Sequence, residues 1–475
     1  MADFDALIVG AGPAGCTTAA ALGELGFRVL VVDAGVDSSK QLAGELIHPP
    51  GMADLSSLGF AAFLRGAGAQ PVQGFAVVDA GDGGRRSLLP YQDGEGVALE
   101  HALLRRSLME GLEARAGIVV RQGARISQIL RNHRHGVEAS VRQDGAGEER
   151  IHARLLVAAD GRSSHARGLL RIREARERLS SMLGVMVDAA YLPHPGHGHL
   201  FVGGPAPVLG YAITPTKARI MVDLPSGSGA AKLVQSPQLL SALPAVLREA
   251  VIEASRSSQV LMAANETRLP ASVAVQSAVL VGDAAGCCHP LSASGLSSCT
   301  RDARVLQEAL RRYPDDVPAA LQLYAVKRRA PQRTRIALAS ALYRTFSQQT
   351  PEMAALRSGM FRYWARTRTG RDVSMALLST RELRMWIMAR EYARAVLHGL
   401  IAMASRGSGS SRGSLWTALR LVRSAFPHLR RALAGALEDW RGAVARLLSR
   451  ASRPSKSHDS RAGDLDPSRA PLSRS

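Results

Sequence analysis

A stretch near the N-terminus constrains this chain more than any other. Asp5-Ala-Leu-Ile-Val9 is an apolar run of strand length, and Gly10-Ala-Gly12-Pro13-Ala14-Gly15 follows it at once. An alanine-rich helical segment then runs from Cys16 to Gly26, and Arg28-Val-Leu-Val-Val-Asp33 reads as a second strand. Strand, glycine turn, helix and strand in that order predict a βαβ unit with the dinucleotide fingerprint in its required context. Gly10 permits the tight turn, Gly12 lets the backbone approach a pyrophosphate, and Gly15 lets helix and strand pack closely. The helix N-terminus offers free N–H groups to the phosphates. Asp33, closing the second strand, is positioned for the ribose hydroxyls of an adenosine. NAD and FAD both satisfy this unit, so the choice rests on later motifs.

Composition removes several other classes. With 475 residues and 46% hydrophobic content, the chain is large enough for two or three domains around substantial cores. Cys16, Cys287, Cys288 and Cys299 contain no CxxC pair, which argues against a disulfide framework and a structural zinc site. No metal site is expected, because His194, His197 and His199 fall in a Gly/Pro turn without matching acids. The N-terminus lacks a signal-peptide pattern, giving a reducing, cytosol-facing location in a bacterial cytoplasm as the expectation. The net charge of +20 is carried almost wholly by arginine. Aromatics are only 4% and no basic stripe interleaves with them, so no nucleic-acid partner is expected.

Two further turns resemble the first in kind. The predicted strand Ile151–Ala158 ends in Ala159-Asp160-Gly161-Arg162-Ser163-Ser164, and Ala278-Val-Leu-Val281 runs into Gly282-Asp283-Ala-Ala-Gly286. Together with the first fingerprint, they resemble the FAD-dependent aromatic-hydroxylase superfamily. That resemblance implies FAD as cofactor, with Asp283 on the flavin ribityl hydroxyls and Asp160-Gly161 near the pyrophosphate. A carboxylate at a strand end can accept two hydroxyl hydrogen bonds at once. The fold class expected is α/β (an α+β composite): a Rossmann-type FAD-binding domain interrupted by a mixed β-sheet substrate domain, plus a C-terminal helical region.

Four more segments narrow the resemblance. Gly44-Glu45-Leu-Ile-His48-Pro-Pro-Gly51, followed by Leu58-Gly59, is similar to the GELLQPGG…LG segment of squalene epoxidases. Gly204-Pro-Ala-Pro-Val-Leu-Gly-Tyr211-Ala-Ile and Arg219-Ile-Met-Val-Asp223 resemble their PSPVLIYQI…RVLVDI strand pair. His289-Pro290-Leu-Ser-Ala-Ser-Gly295-Leu296-Ser resembles HPLTGGGMT, and Ala341-Leu-Tyr-Arg-Thr-Phe-Ser347 resembles ALYELFS. The likeness spans roughly residues 4 to 380. It implies a monooxygenase that epoxidises a long apolar alkene, squalene to 2,3-oxidosqualene first among them, through a flavin C4a-hydroperoxide. Molecular oxygen is the co-substrate, and NAD(P)H is the electron source through a separate reductase. The same resemblance puts Glu45, Arg105, Pro290, Gly295 and Leu296 at the flavin and Tyr211 near flavin and substrate. A helix starting near Gly295 would point its positive end at the flavin N1–C2=O edge, where reduced flavin is negative.

Some positions depart from that pattern. The family's RIVGE reads Gln41-Leu-Ala-Gly44-Glu45, and its three glycines after HPLT become Ala293, Ser294 and Gly295. Other products of the same fold therefore stand beside squalene epoxide: oxidation of a polyketide or carotenoid polyene, saturation of an alkene by a geranylgeranyl-type flavin reductase, or non-catalytic flavin binding at a membrane.

The expected division gives residues 1–75, 96–175 and 266–315 to the FAD-binding domain and 76–95 with 176–265 to the substrate sheet. Residues 316–450 form a helical region and 451–475 a disordered, Ser/Arg/Pro-rich tail. Between 376 and 450, apolar positions are repeatedly broken by arginines, and no uninterrupted stretch reaches the length needed to cross a bilayer. Such basic amphipathic helices can instead lie on an anionic membrane surface. The chain is expected to be peripheral or monotopic, on the cytoplasmic side of a membrane.

Overall fold

The fold was obtained as a computed structural model that describes residues 2–35, 42–256, 260–405 and 416–423, with positions 430, 434, 435 and 437. The expected βαβ unit forms its centre. β1 (Phe4–Val9) pairs in parallel with β2 (Val29–Asp33), and α1 (Pro13–Gly23) crosses between them. On its other side β1 pairs in parallel with the end of β11 (Gly147–Ala158), so the Gly10 turn and the Asp160 turn emerge side by side. β18 (Ala278–Leu280) joins β11 in the same sense and brings the Gly282-Asp283 turn to that edge as well. The sheet order is β17-β18-β11-β1-β2-β8, with β8 at Ile118–Gln122 and β17 at Ala274–Val275. Ligand turns gathered at the carboxyl ends of parallel strands are the usual address of a nucleotide in such sheets.

Alternation along these strands separates two cores. Ala6, Ile8, Val29, Val31, Leu155 and Val157 face α1, α4 (His101–Glu113) and α8 (Gly295–Arg312). Leu7, Val9, Leu30, Val32, Leu156 and Ala158 face the antiparallel meander β9 (Ala124–His133) and β10 (Gly136–Gln143). Both faces of the parallel strands are covered, which is why they read as continuous apolar runs.

A second sheet has the order β16-β12-β15-β14-β13-β5-β6. It is built from β5 (Gly74–Asp79), β6 (Arg85–Pro90), β12 (Glu174–Asp188), β13 (Gly198–Val202), β14 (Val208–Ala212), β15 (Lys217–Pro225) and β16 (Leu261–Pro270). Leu183, Val185, Phe201, Val208, Ile220 and Val222 on one face pack on α6 (Ala230–Gln235) and α7 (Ala245–Ser255). The sequence assigns 176–265 wholly to a substrate sheet, and the structure adds both helices to it. Leu247, Val251 and Ser255, buried at four-residue spacing, are the stripe that marks α7. The other face meets α9 (Val317–Ser347), α10 (Pro351–Arg366) and α11 (Arg368–Leu378) through Phe346, Phe361, Trp364, Met375 and Leu378.

A three-stranded sheet of β3 (Leu46–Ile47), β7 (Gly96–Ala98) and β4 (Gln70–Val72) holds the Glu45 segment beside α2 (Pro49–Ser57) and α3 (Ala61–Gly66). α5 (His165–Leu169) follows the Asp160 turn, and α12 (Met385–Ser405) packs against α10. Among the described residues, no helix is long and apolar enough to cross a membrane. The glycine/serine segment at 406–414, most of the basic stretch from 415 to 450 and the tail at 451–475 lie outside the described residues.

Candidate active site

The first part of the site is a backbone cradle. Gly10 has φ +101°, and a Cβ there would lie 2.8 Å from the Ala159 carbonyl oxygen. A Cβ on Gly15 would lie 1.8 Å from the Gly10 oxygen, so α1 can sit this close to the turn only with glycine. Around Gly12 the opposite holds: an added Cβ meets nothing within 4 Å. The first turn of α1 has no side-chain cap and starts at Pro13, so its exposed N–H groups face open space beside Gly12. An open approach, an uncapped helix end and Gly161 at φ +78°, with equally open space, fit a dinucleotide pyrophosphate. Ala14 packs under the third turn, since a Cβ on Gly282 would lie 2.6 Å from its methyl.

Three acids from the sequence reading stand in different settings. The Asp33 carboxylate accepts N–H bonds from Ala11 (2.7 Å) and Gly35 (2.8 Å), and Arg105 Nη2 donates to its Oδ1 at 2.5 Å. Arg105 also reaches the Ala11 carbonyl, so Asp33 and Arg105 together fix the glycine loop. Asp160 accepts from Ser164 Oγ and from the Ala166 N–H (2.9 Å), which makes it the anchor of α5. Asp283 lines a cleft, and among the described residues no hydrogen bond engages its side chain.

That cleft, of about 160 Å³, lies between the second sheet and the segment from Asp283 to Leu296. Cross-strand register builds its apolar wall: Leu209 pairs with Met221 and Tyr211 with Arg219 across β14 and β15, while Met182 pairs with Ala263 across β12 and β16. Leu42, Leu46 and Leu296 extend it. The opposite wall is polar and carries Arg162, Asp283, Cys288, His289, Pro290 and Arg335. At its floor α8 begins at Gly295, where an added Cβ meets nothing within 4 Å, and no side chain caps its first turn. Ser294 Oγ is instead engaged by Ser292 Oγ at 2.8 Å. Ala293 holds φ +49°, the left-handed region natural to glycine.

Beneath the apolar wall lies a buried ion pair that the sequence reading did not contain. Arg219 donates to both oxygens of Glu45 (3.0–3.3 Å), and the Tyr211 hydroxyl donates to Glu45 Oε2 at 3.4 Å. Burial, and next the neighbouring Glu45 carboxylate, push the Tyr211 phenol well above its usual range, so it remains protonated. Beside this pair, His289 Nε2 faces Asp223 Oδ2 at 3.2 Å, and Asn265 bridges Asp223 and Ser180 at 2.9 Å each. The His289 ring stacks on Tyr343 of α9 with centroids 4.4 Å apart. One signal could have found these residues: Arg219, Met221 and Asp223 alternate onto one face of a buried strand, an unusual place for two charges.

His48 joins the Glu45 segment to the cleft floor. Its Nε2–H donates to the Ser292 carbonyl (2.8 Å), leaving Nδ1 to accept from the Tyr91 hydroxyl (2.6 Å). Burial pushes this imidazole down to about 4. Below pH 6.5 the unfolded chain therefore binds a proton that the folded chain refuses until about pH 4. Stability is complete above pH 6.5 and falls through that window by about 3 kcal/mol. His48→Gln keeps a donor and an acceptor and should flatten the acid limb. Urea unfolding of both proteins between pH 7 and 4 measures the difference, and parallel curves would exclude His48 as its source.

Three of the cysteines are ordinary buried thiols and Cys288 is half-buried: burial pushes Cys16 and Cys287 up to about 12 and raises Cys288 and Cys299 as well. Among the described residues no group of three His, Cys, Asp or Glu could hold a metal ion.

Solved structures share this architecture. p-Nitrophenol 4-monooxygenase PnpA from Pseudomonas putida matches with a TM-score of 0.65 at 20% identity, over 82% of this chain and 98% of that one. Aklavinone-11 hydroxylase, solved with FAD and aklavinone, matches with a TM-score of 0.57 at 21% identity, over 73% of this chain and 70% of that one. A description of an NAD(P)-binding Rossmann-like domain fits residues 8–45. Three strand-end turns around an uncapped helix, interrupted by a second sheet, are the fold that these structures share. Squalene epoxidase 3 of Arabidopsis thaliana is 27% identical over 448 residues, covering 89% of this chain and 83% of the relative. Squalene epoxidase erg1 of Schizosaccharomyces pombe is 26% identical, covering 77% and 83%. The squalene epoxidase family model matches residues 152–416, more than half of the sequence, and the chain belongs to that family.

Proposed function

We propose that the enzyme inserts one oxygen atom of O2 into an alkene of a long apolar polyene, squalene giving 2,3-oxidosqualene. The observation that carries this reading is the two-sided cleft, with an apolar wall facing a polar one that bears Asp283 and the open start of α8. In this reading residues 1–75, 96–175 and 266–315 hold FAD, and 76–95 with 176–265 hold substrate. Gly10, Gly12, Pro13, Ala14, Gly15 and Gly161 receive the pyrophosphate, with Asp33 and Arg105 fixing the loop and facing the adenosine. Gly282 sets the turn from which Asp283 takes the ribityl hydroxyls, and Pro290, Gly295 and Leu296 form the flavin floor.

When bound and reduced, FAD supplies activation of oxygen and an electrophilic oxygen atom. The chain's own work is to orient and exclude water. Met182, Leu209, Met221 and the Tyr211 ring offer an alkene an apolar surface, while Glu45 and Arg219 keep the Tyr211 hydroxyl turned away from it. The positive end of α8 favours negative charge developing at the floor. With one dinucleotide fingerprint in the sequence, the electrons come from NAD(P)H through a separate reductase. Trp386, Leu397 and Ile401 on α12, with Trp416, Leu419 and Val422, are exposed apolar groups suited to a membrane surface from which such a substrate is drawn.

A second reading, a different polyene, rests on the narrowed floor at Ala293 and the Ser292–Ser294 bond. FAD-loaded protein supplied with squalene, NADPH, a ferredoxin or flavodoxin reductase and ¹⁸O2 is expected to yield oxidosqualene carrying the label. Flavin that cycles while squalene stays intact would remove squalene in favour of another polyene. Alkene saturation without oxygen would overturn the monooxygenase reading itself.

A further inference from the structure

Behind the polar wall of the cleft, α8 and α9 border a second and smaller cavity of about 20 Å³. Its charged lining is one-sided: Arg301 from α8 and Lys327, Arg328 and Arg335 from α9, against the single carboxylate of Asp302. That carboxylate is already committed. Both its oxygens accept from Arg328 Nε (2.9 and 3.0 Å), and Oδ2 also accepts the Gly282 N–H at 2.9 Å. Lys327 pairs with Glu308 outside the cavity, and Arg301 Nη2 donates to the Thr380 carbonyl at 2.7 Å.

Two guanidinium nitrogens are left over. Arg328 Nη2 and Arg335 Nε are buried and have no hydrogen-bond partner among the described residues, on side chains that are more than nine-tenths buried. Arg335 otherwise meets the Cys288 thiol and the field of Asp283 across the cleft wall. Arg335 is also repelled by Arg301 and by Arg328, which the carboxylates of Asp54, Asp302 and Asp283 offset in part. Water could accept from the free N–H groups but would leave that repulsion in place. A small anion satisfies both requirements.

We propose that this cavity binds a small inorganic anion of the halide class between Arg301, Arg328 and Arg335. At about 20 Å³ the cavity, closed on its other sides by Val305, Pro331 and Leu383, is too small for an organic ligand. Two side chains link the anion to the flavin-binding turn, because Arg328 holds Asp302 and Asp302 holds the Gly282 N–H. Occupancy would therefore stiffen that turn from behind.

The test uses FAD-loaded wild-type protein crystallised and soaked in sodium bromide. An anomalous bromide peak bounded by Arg301, Arg328 and Arg335 is the expected result. A water at that position, or bromide only on the exposed surface, would overturn the proposal. In solution, replacing sodium gluconate by sodium bromide at constant ionic strength should raise the unfolding midpoint by about 2 °C for each tenfold increase above the dissociation constant. Arg301→Gln, which leaves the Arg328–Asp302–Gly282 chain intact, should abolish that rise. Equal midpoints in both salts for the wild type would also refute the site, whether or not the variant folds.

Discussion

Glu45→Gln is expected to destabilise the protein by about 3–5 kcal/mol, because it leaves the Arg219 guanidinium buried without a counter-charge. Each partner is at least 96% buried, so water cannot take the place of the missing one. Arg219→Met should cost a similar amount for the converse reason. The double variant Glu45→Gln/Arg219→Met removes both charges and should be more stable than either single one. Urea midpoints of the four proteins give the coupling directly. Strictly additive losses would mean that the two side chains act independently, against the bidentate geometry seen here. The pair also joins the Glu45 segment of the FAD-binding side to β15 of the second sheet. Its loss should therefore loosen the cleft wall as well as the fold, and the Tyr211 hydroxyl would lose its charged acceptor.

The parts of this protein legible in its sequence are those whose chemistry is local. The turns at Gly10, Asp160 and Gly282 each need a glycine within a few residues of a strand end, and all three could be read at once. Glu45 and Arg219 lie 174 positions apart, and nothing near either announces the other. His289 and Asp223, or His48 and Ser292, meet only after β12, β15 and the Glu45 segment have docked. Asp160 shows the limit even for a motif: its position was readable, but its capping of α5 emerges only from the turn geometry. The helices at 230–255 were missed because glycines and prolines around them imitate the punctuation of a strand-rich region. Arginines in the last third blurred the apolar stripes of α10 to α12. In the folded chain several are partnered: Arg357 lies 3.8 Å from Asp79, and Arg390 and Arg394 both reach Glu391.

The fingerprint itself allows the sharpest separation of folding from cofactor binding. Gly12→Ala has room for its methyl group and a permissive φ of −77°, so the FAD-free protein should keep its stability, or gain up to about 1 kcal/mol from a stiffer unfolded chain. The methyl nevertheless projects beside the uncapped N–H groups of α1, where a pyrophosphate must approach the backbone. FAD affinity should fall by about tenfold or more, as expected when charge-assisted backbone bonds are lengthened. Gly15→Ala meets the Gly10 carbonyl oxygen at 1.8 Å, and neither backbone can yield without opening the packing of α1 against β1. Its FAD-free form should lose several kcal/mol, of the order of about 3 or more, and retain no flavin. Flavin fluorescence titration and unfolding of the FAD-free proteins separate the two effects. A Gly12→Ala protein that binds FAD as tightly as the wild type would move the pyrophosphate away from this turn. A stable Gly15→Ala protein would mean that the close contact between α1 and the Gly10 turn is not a requirement of the fold.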